Sequence, residues 1–366
     1  MKRPDAPVIL CAALVGLVLL GMACAPPTLL SGAAAPVAAT GPSADASVAS
    51  FYSGKTVRIV VGFAPGGGFD TYSRLMARHL GKYLPGHPNV IVENAPGAAS
   101  AAAANQVFNT RPKDGTVIGN FNENLVLLQA LGAKGIEYDA RRFQFLGSLA
   151  DSPSACAFRA DTGIESFADI VGGREATVAA DSPGSTSHDV PAVLREALGA
   201  NLKVVTGYNG TAQSRVAVDR QEVDGACWTW DSMSVTARAW FEASPPTTRV
   251  LVVMGSETPP HPWLADTPSA LSLAESELAR QLILGVSLPS QIGKPLAVAP
   301  EVPPERVAAL RQAFTQALAD PDLKADASKW KLEINAKSAP EVEARVRQIL
   351  DLAPDAKGRL KEIMGS

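Results

Sequence analysis

The stretch Arg58-Ile59-Val60-Val61-Gly62-Phe63-Ala64-Pro65-Gly66-Gly67-Gly68-Phe69-Asp70-Thr71 decides the fold class of this 366-residue chain. Residues 57–63 are mostly apolar and β-branched, which predicts a parallel strand buried on both faces. Three glycines follow, and an amphipathic helix is predicted over 72–82 with Asp70 and Thr71 as its capping residues. Open backbone N–H groups between a strand and a helix N-terminus favour the binding of a carboxylate.

Other glycine-rich turns explain this loop less well. No Gly-Lys-Ser/Thr follows Gly68, which excludes a Walker phosphate loop. The dinucleotide pattern G-x-G-x-x-G fits Gly66 and Gly68 but meets Thr71 where its third glycine belongs. A tight strand-to-helix turn that binds no ligand is the simplest alternative for the loop taken alone.

Length and charge limit the possible classes of protein. A chain of this length with 46% hydrophobic residues suits two α/β lobes better than a single core. The formal net charge is −3, and no block of Lys and Arg occurs, so a nucleic-acid partner has no electrostatic support.

The N-terminal residues predict export. Residues 1–23 begin with a basic pair and continue with an apolar run that is shorter than the roughly 20 residues needed to span a bilayer. Gly-Met-Ala-Cys, ending at Cys24, resembles a bacterial lipobox, which predicts cleavage before Cys24 and a lipid anchor on it. A plain secretory signal cleaved after Ala33 is the alternative. Residues 24–50, rich in Ala, Pro and Ser, predict a flexible tether.

Two cysteines remain for the folded body, Cys156 and Cys227. An exported chain permits a disulfide between them. Each also lies in an apolar, strand-like run, where a free thiol packs as a small hydrophobic group. The sequence leaves both states open and slightly favours buried thiols.

The following segments continue an α/β alternation. Strands are predicted at 90–94 and 116–120, with an alanine-rich helix between them, and a further buried strand is predicted at 202–205. The β-α-β-α-β order predicts right-handed crossovers and a parallel sheet whose binding loops follow the carboxyl ends of the strands.

Several motifs in order resemble one family. The loop at 63–70 resembles the F-x-x-G-G-x-x-D loop of tripartite tricarboxylate transporter receptors, also called Bug-type periplasmic binding proteins. V-E-N-A-P-G-A at 92–98 and P-K-D-G-T at 112–116 are similar to their V-E-N-x-P-G-A and P-x-D-G-Y-T segments. The turns at 178–188 and 206–212 resemble two further family loops. The resemblance spans residues 54–360.

The resemblance implies a two-lobed α/β fold of the type II periplasmic-binding-protein kind, with parallel-rich sheets and two crossovers at a hinge. Lobe one is expected at 51–152 and 257–366, and lobe two at 153–256. The implied protein is a monomeric solute receptor without a cofactor or enzymatic activity. It would capture a small organic carboxylate between the lobes and deliver it to the membrane permease subunits of a tripartite transporter.

Carried over residue by residue, the resemblance gives a set of ligand-binding residues in two loops and two further segments. They are Phe63, Ala64, Gly66, Gly67 and Asp70, then Tyr208, Asn209, Gly210 and Thr211, with Ser185, Thr186, Ser187, Trp228 and Asp231. Asp70 is expected to orient a water, to accept from a ligand donor, or only to cap its helix.

The tryptophans are a departure from the family pattern. Relatives carry Asp-Asn where this chain has Trp228 and Thr229. In an extended strand Trp228 and Trp230 share one face, where they stack on a flat ligand or pack in the core.

Other functions are alternatives. Ser187 and His188 allow an exported serine hydrolase, although no G-x-S-x-G motif is present. An orphan receptor that senses its ligand is a third possibility. The histidines lack metal-ligand spacing, so no metal is expected.

Overall fold

The computed structural model describes residues 44–255 and 261–364. The expected signal segment 1–23, the lipid-acceptor residue Cys24 and the tether up to residue 43 lie outside the described residues. No helix within the described ranges combines the length and the apolar character needed to cross a membrane.

The strands form two separate sheets. They are β1 (Thr56–Val61), β2 (Asn89–Asn94), β3 (Val117–Asn120), β4 (Gln144–Ser148), β5 (Ser154–Arg159), β6 (Ala176–Ala179), β7 (Leu202–Val205), β8 (Gly225–Thr229), β9 (Thr248–Val253), β10 (Pro295–Val298) and β11 (Lys337–Ser338). The six-stranded sheet has the order β11-β4-β10-β3-β1-β2 and the five-stranded sheet the order β7-β6-β8-β5-β9. Strands β2-β1-β3 and β7-β6-β8 are parallel, and the other neighbours are antiparallel.

Helices surround both sheets. They are α1 (Ala44–Tyr52), α2 (Gly68–Tyr83), α3 (Ala101–Asn109), α4 (Leu125–Ala130), α5 (Phe167–Val171), α6 (Thr186–Leu198), α7 (Thr211–Asp219), α8 (Trp230–Thr236), α9 (Arg238–Glu242), α10 (Glu277–Ser287), α11 (Pro304–Ala319), α12 (Pro321–Lys329), α13 (Ala339–Leu350) and α14 (Pro354–Met364).

The two-lobed α/β fold predicted from the sequence is confirmed. We call the part built on the six-stranded sheet lobe one and the part built on the five-stranded sheet lobe two. The chain passes from lobe one to lobe two between β4 and β5, and returns between β9 and β10. Strands β1, β2 and β3 are parallel in the predicted β-α-β-α-β order.

Strand β1 and helix α2 place the first glycine loop. Val57, Ile59, Val60 and Val61 of β1 are fully buried, as the apolar run predicts. Helix α2 begins at Gly68 with Gly67 as its N-cap, so the prediction that Asp70 and Thr71 cap it was wrong. The helix starts at Gly68, four residues before its predicted first residue, and the glycines there carry no side chain that would hinder this start.

Helix α1 replaces the end of the expected tether. Residues 44–50, predicted to be flexible, form most of this helix. Val48 and Tyr52, four residues apart on one helix face, are buried in the core of lobe one. The Tyr52 hydroxyl donates to the Gly115 carbonyl at 3.1 Å. A composition rich in Ala and Ser suits a helix once these two side chains have a core to pack against.

Cys156 and Cys227 form a disulfide. The slight preference for buried thiols was therefore wrong. The two residues lie directly opposite each other on the antiparallel strands β5 and β8. Local sequence does not reveal this register, because it depends on pairing between segments 71 residues apart.

Candidate functional site

A cavity lies between the two lobes, and helices α2, α6 and α7 begin at it. Its volume is about 510 Å³ including its opening to solvent. The first residues of α2 and α7 and the N-cap of α6 line it. The lining residues are Phe63, Ala64, Gly67, Gly68, Phe69, Asn122, Glu123, Asp181, Ser185, Thr186, Ser187, Gly210, Thr211, Trp228, Thr229 and Ser232.

The two loops predicted from the sequence face each other across this cavity. A Cβ atom on Gly67 would lie 2.8 Å from the Thr211 Oγ1 atom, and one on Gly210 would lie 3.7 Å from the Phe63 Cβ atom. Gly67 has φ −86°, which any residue adopts, so the opposite lobe is what requires a glycine there. Gly210 has φ +110° and needs glycine for its backbone conformation as well.

Gly68 makes an even closer approach to the other lobe. A Cβ atom on this residue would lie 2.2 Å from the Ser232 Oγ atom and 2.9 Å from the Ser232 Cα atom. Ser232 belongs to α8, which follows strand β8 of lobe two. The N-terminus of α2 therefore rests directly on lobe two.

In the first loop the open amides belong to α2. The Gly66 N–H donates to the Asp70 carboxylate at 2.9 Å, so this amide is occupied. The N–H groups of Gly68 and Phe69, in the first turn of α2, have no acceptor within the helix. They lie at the cavity, where the positive end of the helix favours an anion.

In the second loop, the open amides are not those of the residues that were predicted to bind the ligand. The N–H groups of Tyr208, Asn209 and Gly210 donate to the Ala180 carbonyl, the Gln213 side chain and the Tyr208 carbonyl, at 3.1, 2.9 and 2.8 Å. The first-turn N–H groups of Thr211 and Ala212 lack acceptors within α7. These two amides face Gly67, from whose added Cβ they would be 3.9 and 4.0 Å away.

Asp70 stabilises the first loop and does not line the cavity. Its carboxylate accepts from the Gly66 N–H and from Arg74 Nε, each at 2.9 Å. Burial acts to raise the pKa of Asp70, but the hydrogen bonds from Arg74 and Gly66 outweigh it and hold the pKa below its ordinary value. Of the three roles expected for Asp70, these contacts fit the structural one.

The turn between β6 and α6 supplies hydroxyl groups. Ser185 is the N-cap of α6, with its side chain accepting from the His188 N–H. Ser187 Oγ accepts from the Asp181 N–H and lies 3.0 Å from Ser185 Oγ. Thr186 Oγ1 donates across the lobes to Glu123 Oε1 at 3.1 Å. All three predicted residues of this turn line the cavity.

The two tryptophans do not share a strand face. Strand β8 ends at Thr229 and Trp230 begins α8, so the condition for a shared face, that both residues lie in one extended strand, is not met. Trp228 lines the cavity and stacks on Trp240, with ring centroids 5.5 Å apart and planes at 26°. Its Nε1–H is buried without a hydrogen-bond partner among the described residues. Trp230 packs in the core of lobe two beside His261.

Sequence reasoning missed Glu123 and Asp181. Both line the cavity, and Glu123 is only 2% exposed. Burial raises the pKa of each carboxyl, and for Glu123 the positive charge of Lys294 partly opposes this. The run Asn122-Glu123-Asn124, which begins two residues after the end of the buried strand β3, was the available signal, because binding residues gather at the carboxyl ends of parallel strands.

Lys294 and Asp231 form a buried ion pair between the lobes. Lys294 precedes β10 of lobe one, and Asp231 lies on α8 of lobe two. The Lys294 Nζ atom also lies 4.9 and 5.0 Å from the ring centroids of Phe69 and Tyr72. Burial lowers the pKa of Lys294, and the carboxylate of Glu123 opposes this. Asp231, predicted to contact the ligand, is not among the cavity-lining residues.

The arrangement of Ser187 and His188 does not resemble a hydrolase centre. Ser187 Oγ contacts Ser185 and the Asp181 amide, whereas His188 Nδ1 lies 2.9 Å from Asp189 Oδ1. Adjacent helical residues point in different directions. Within the described ranges, no group of three or more His, Cys, Asp or Glu side chains is arranged to hold a metal ion.

The comparisons with known proteins agree with this architecture. The profile described as "Tripartite tricarboxylate transporter family receptor" matches residues 73–351. The chain belongs to this family. The resemblance seen in the sequence motifs is thereby confirmed, and the family consists of solute-binding receptors.

Relatives and solved structures extend the comparison. A UPF0065 protein of Bordetella pertussis is 24% identical over 207 residues, 54% of this chain and 61% of the relative. The chain thus spans less than two thirds of that curated relative. The periplasmic binding protein BugD has a TM-score of 0.68 at 22% identity, over 85% of this chain and 98% of BugD. MatC from Rhodopseudomonas palustris, with bound malate, has a TM-score of 0.65 at 20% identity, over 85% and 99% of the two chains.

Proposed function

We propose that this protein is an extracytoplasmic receptor that captures a small organic carboxylate in the cavity between its lobes and delivers it to the permease of a tripartite transporter. One observation carries the proposal: α2, α6 and α7 begin at the same cavity. Three helix N-termini present open N–H groups and partial positive charge to one guest, which suits an anion. Family membership and the malate in the similar MatC structure support the same ligand class.

The proposed ligand contacts come from both lobes. Lobe one supplies the N–H groups of Gly68 and Phe69 at the start of α2, and lobe two supplies those of Thr211 and Ala212 together with the hydroxyls of the β6–α6 turn. Trp228 offers a buried indole N–H without a partner. A ligand that engages both sets is stabilised only when the lobes are together, so binding favours closure.

We also propose where the protein is located and how its two lobes divide the chain. The body is exported and held at the membrane by lipid on Cys24, with lobe one at 51–152 and 257–366 and lobe two at 153–256. Labelling of cells with a radioactive fatty acid tests the anchor, because Cys24→Ser should abolish labelling of this chain.

Gly67→Val tests the binding site. The added methyl groups would occupy the gap between Gly67 and the α7 amides, where a Cβ atom alone lies 2.8 Å from Thr211 Oγ1. We expect a panel of mono-, di- and tricarboxylates to contain members that raise the melting temperature of the wild-type protein, and Gly67→Val to lose those shifts.

The matched control for this experiment is Gly358→Val, on an exposed face of α14 with no heavy atom within 4 Å of the added Cβ. It should keep the ligand shifts. Equal shifts in both variants would refute the location of the site, and no shift with any carboxylate would refute the ligand class. Hydrolysis of esters that depends on Ser187 would instead establish the serine hydrolase.

A further inference from the structure

Lys294 lies beside the candidate site without lining it. Its side chain is almost completely buried, and no other Lys or Arg in the described part of the chain is buried. A lysine is rarely placed in a protein interior unless its charge has a partner there. The partners of Lys294 therefore indicate what this residue does.

The ammonium of Lys294 contacts side chains of both lobes. It pairs with the carboxylate of Asp231, at the start of α8 in lobe two. In lobe one, its Nζ atom lies 4.9 and 5.0 Å from the ring centroids of Phe69 and Tyr72 on α2, within the range of a cation–π interaction. One cation thus joins the start of α2 to the start of α8.

The starts of these two helices determine the geometry of the proposed site. Phe69 supplies one of the two open amides of α2 at the cavity. The preceding residue, Gly68, lies against Ser232, which directly follows Asp231 on α8. Helix α8 also packs against α7, whose first-turn amides face the cavity from lobe two. A displacement of α8 therefore moves the open amides of α2 and α7 relative to each other.

The ion pair is fixed to the segment that connects the lobes. The Lys294 carbonyl accepts from the Leu149 N–H, and the Lys294 N–H donates to the Ala150 carbonyl, both at 3.1 Å. The Asp231 N–H donates to Ser152 Oγ at 3.0 Å. These three partner residues lie in the crossover between β4 and β5. Both members of the pair are thus held beside the point about which the lobes turn.

Stability alone does not explain an ion pair at this place. Removing both charges from water costs about as much as their attraction returns, so an apolar pair of similar shape often holds a protein interior as firmly. The Oδ1 atom of Asp231 is also buried, without a hydrogen-bond partner among the described residues, which adds to the cost. An ion pair differs from an apolar contact in being directional, so it favours one relative position of its partners.

We propose that Lys294 is a positioning residue for ligand binding. Through Asp231 and Phe69, it holds α8 and α2 in the one relative position in which the open amides of α2 and α7 face the same guest. This proposal rests on the proposed function, since those amides bind the carboxylate. Lys294 itself does not touch the ligand.

Two variants separate positioning from stability. Lys294→Met removes the cation and is expected to lower both the urea midpoint and the affinity for the carboxylate that gives the largest thermal shift. Lys294→Met combined with Asp231→Leu replaces the pair by apolar side chains, of which Leu has the branching of Asp and Met is one atom shorter than Lys. The urea midpoint of this double variant should return to near the wild-type value.

The affinity of the double variant is the decisive measurement. If the apolar pair allows the binding-competent position only about a tenth of the time, the affinity measured by calorimetric titration stays about tenfold below that of the wild type. A purely structural pair would instead regain affinity together with stability.

The matched control is an exposed ion pair that also joins the lobes. Lys331 Nζ lies 2.9 Å from Glu242 Oε1, and the two side chains are 53% and 44% exposed. Lys331→Met with Glu242→Met removes the same two charges from the surface. The affinity should change by less than about twofold, because exposed ion pairs contribute little.

A cross-link tests the positioning without any ligand. In a disulfide, each sulfur lies about 3 Å from the Cβ atom of the other cysteine. A Cβ atom on Gly67 would lie 2.8 Å from Thr211 Oγ1, so Gly67→Cys with Thr211→Cys should join the lobes under mild oxidation. Mass spectrometry of the joined peptides measures the rate. Adding Lys294→Met and Asp231→Leu should slow the cross-linking about tenfold, because the rate depends on the same population as the affinity.

Two results would overturn the proposal. One is a double variant that regains stability and binds within about threefold of the wild type. The other is an unchanged cross-linking rate, which decides the matter if the double variant does not regain stability. If that variant does not fold, Asp231→Asn, which keeps the shape of the side chain, takes its place in the cross-linking test. If no carboxylate binds the wild-type protein, the proposed function fails, and the cross-linking rate still decides the role of Lys294.

Discussion

Gly68→Ala should have two opposite effects, because it favours helix α2 but crowds the contact between the lobes. Within a helix, replacing Gly by Ala is expected to add up to about 1 kcal/mol to the free energy of unfolding. The new Cβ atom, however, would lie 2.9 Å from the Ser232 Cα atom and 2.7 Å from its Cβ atom. Rotation of the Ser232 hydroxyl relieves only the 2.2 Å contact with Oγ, so the backbone of α8 must move away. Ordinary contact at 3.4 Å requires a shift of at least 0.7 Å, the difference from the 2.7 Å contact with the Ser232 Cβ atom.

We expect the free-energy cost of this crowding to appear as weaker ligand binding. Overpacking of this kind costs about 1–3 kcal/mol, which corresponds to a loss of affinity of roughly 5- to 150-fold if closure bears the whole cost. Calorimetric titration with the carboxylate that gives the largest thermal shift measures the loss. Gly358→Ala is the control, because it adds the same methyl group to an exposed position of α14 with no atom within 4 Å. An affinity of Gly68→Ala within twofold of wild type would refute the reasoning that ligand binding requires this close approach.

Two further predictions concern the stability of the fold. Removing the disulfide by Cys156→Ala with Cys227→Ala is expected to lower the free energy of unfolding by about 4 kcal/mol, because the cross-link joins residues that are 71 positions apart; urea unfolding measures it, and a loss below about 1 kcal/mol would contradict the estimate. Lys294→Met is expected to cost about 3–5 kcal/mol, because it leaves Asp231 and Glu123 buried without their cation. Urea unfolding measures this too, and an unchanged midpoint would contradict the pairing.

The parallel parts of both sheets could be predicted because they depend on local sequence. Strand β7 occupies 202–205 as predicted, and β1, β2 and β3 differ from their predicted bounds by one or two residues. Their apolar runs are short and bounded by turn residues, which is the pattern of buried strands. Helix α1 could not be predicted, since only the burial of Val48 and Tyr52 distinguishes it from a tether of the same composition.

The candidate site likewise has features that could be predicted from the sequence and features that depend on long-range contacts. The loops at Gly67 and Gly210 were predicted from their resemblance to family motifs, and each follows the carboxyl end of a parallel strand in its own sheet, where binding loops gather. The disulfide and the Lys294–Asp231 pair depend on contacts between segments 71 and 63 residues apart. Which amides of the second loop are open was also beyond the sequence, because the Gln213 side chain and the Ala180 carbonyl use two of them.

The position of Glu123 links ligand charge to lobe closure. Its carboxyl joins the lobes through Thr186 and lines the same cavity that we propose for the ligand. A ligand that brings only negative charge must overcome repulsion from Glu123 with its contacts to α2 and α7. Because a ligand shifts closure only by its differential affinity for the closed form, the charge at Glu123 should affect closure as well as affinity.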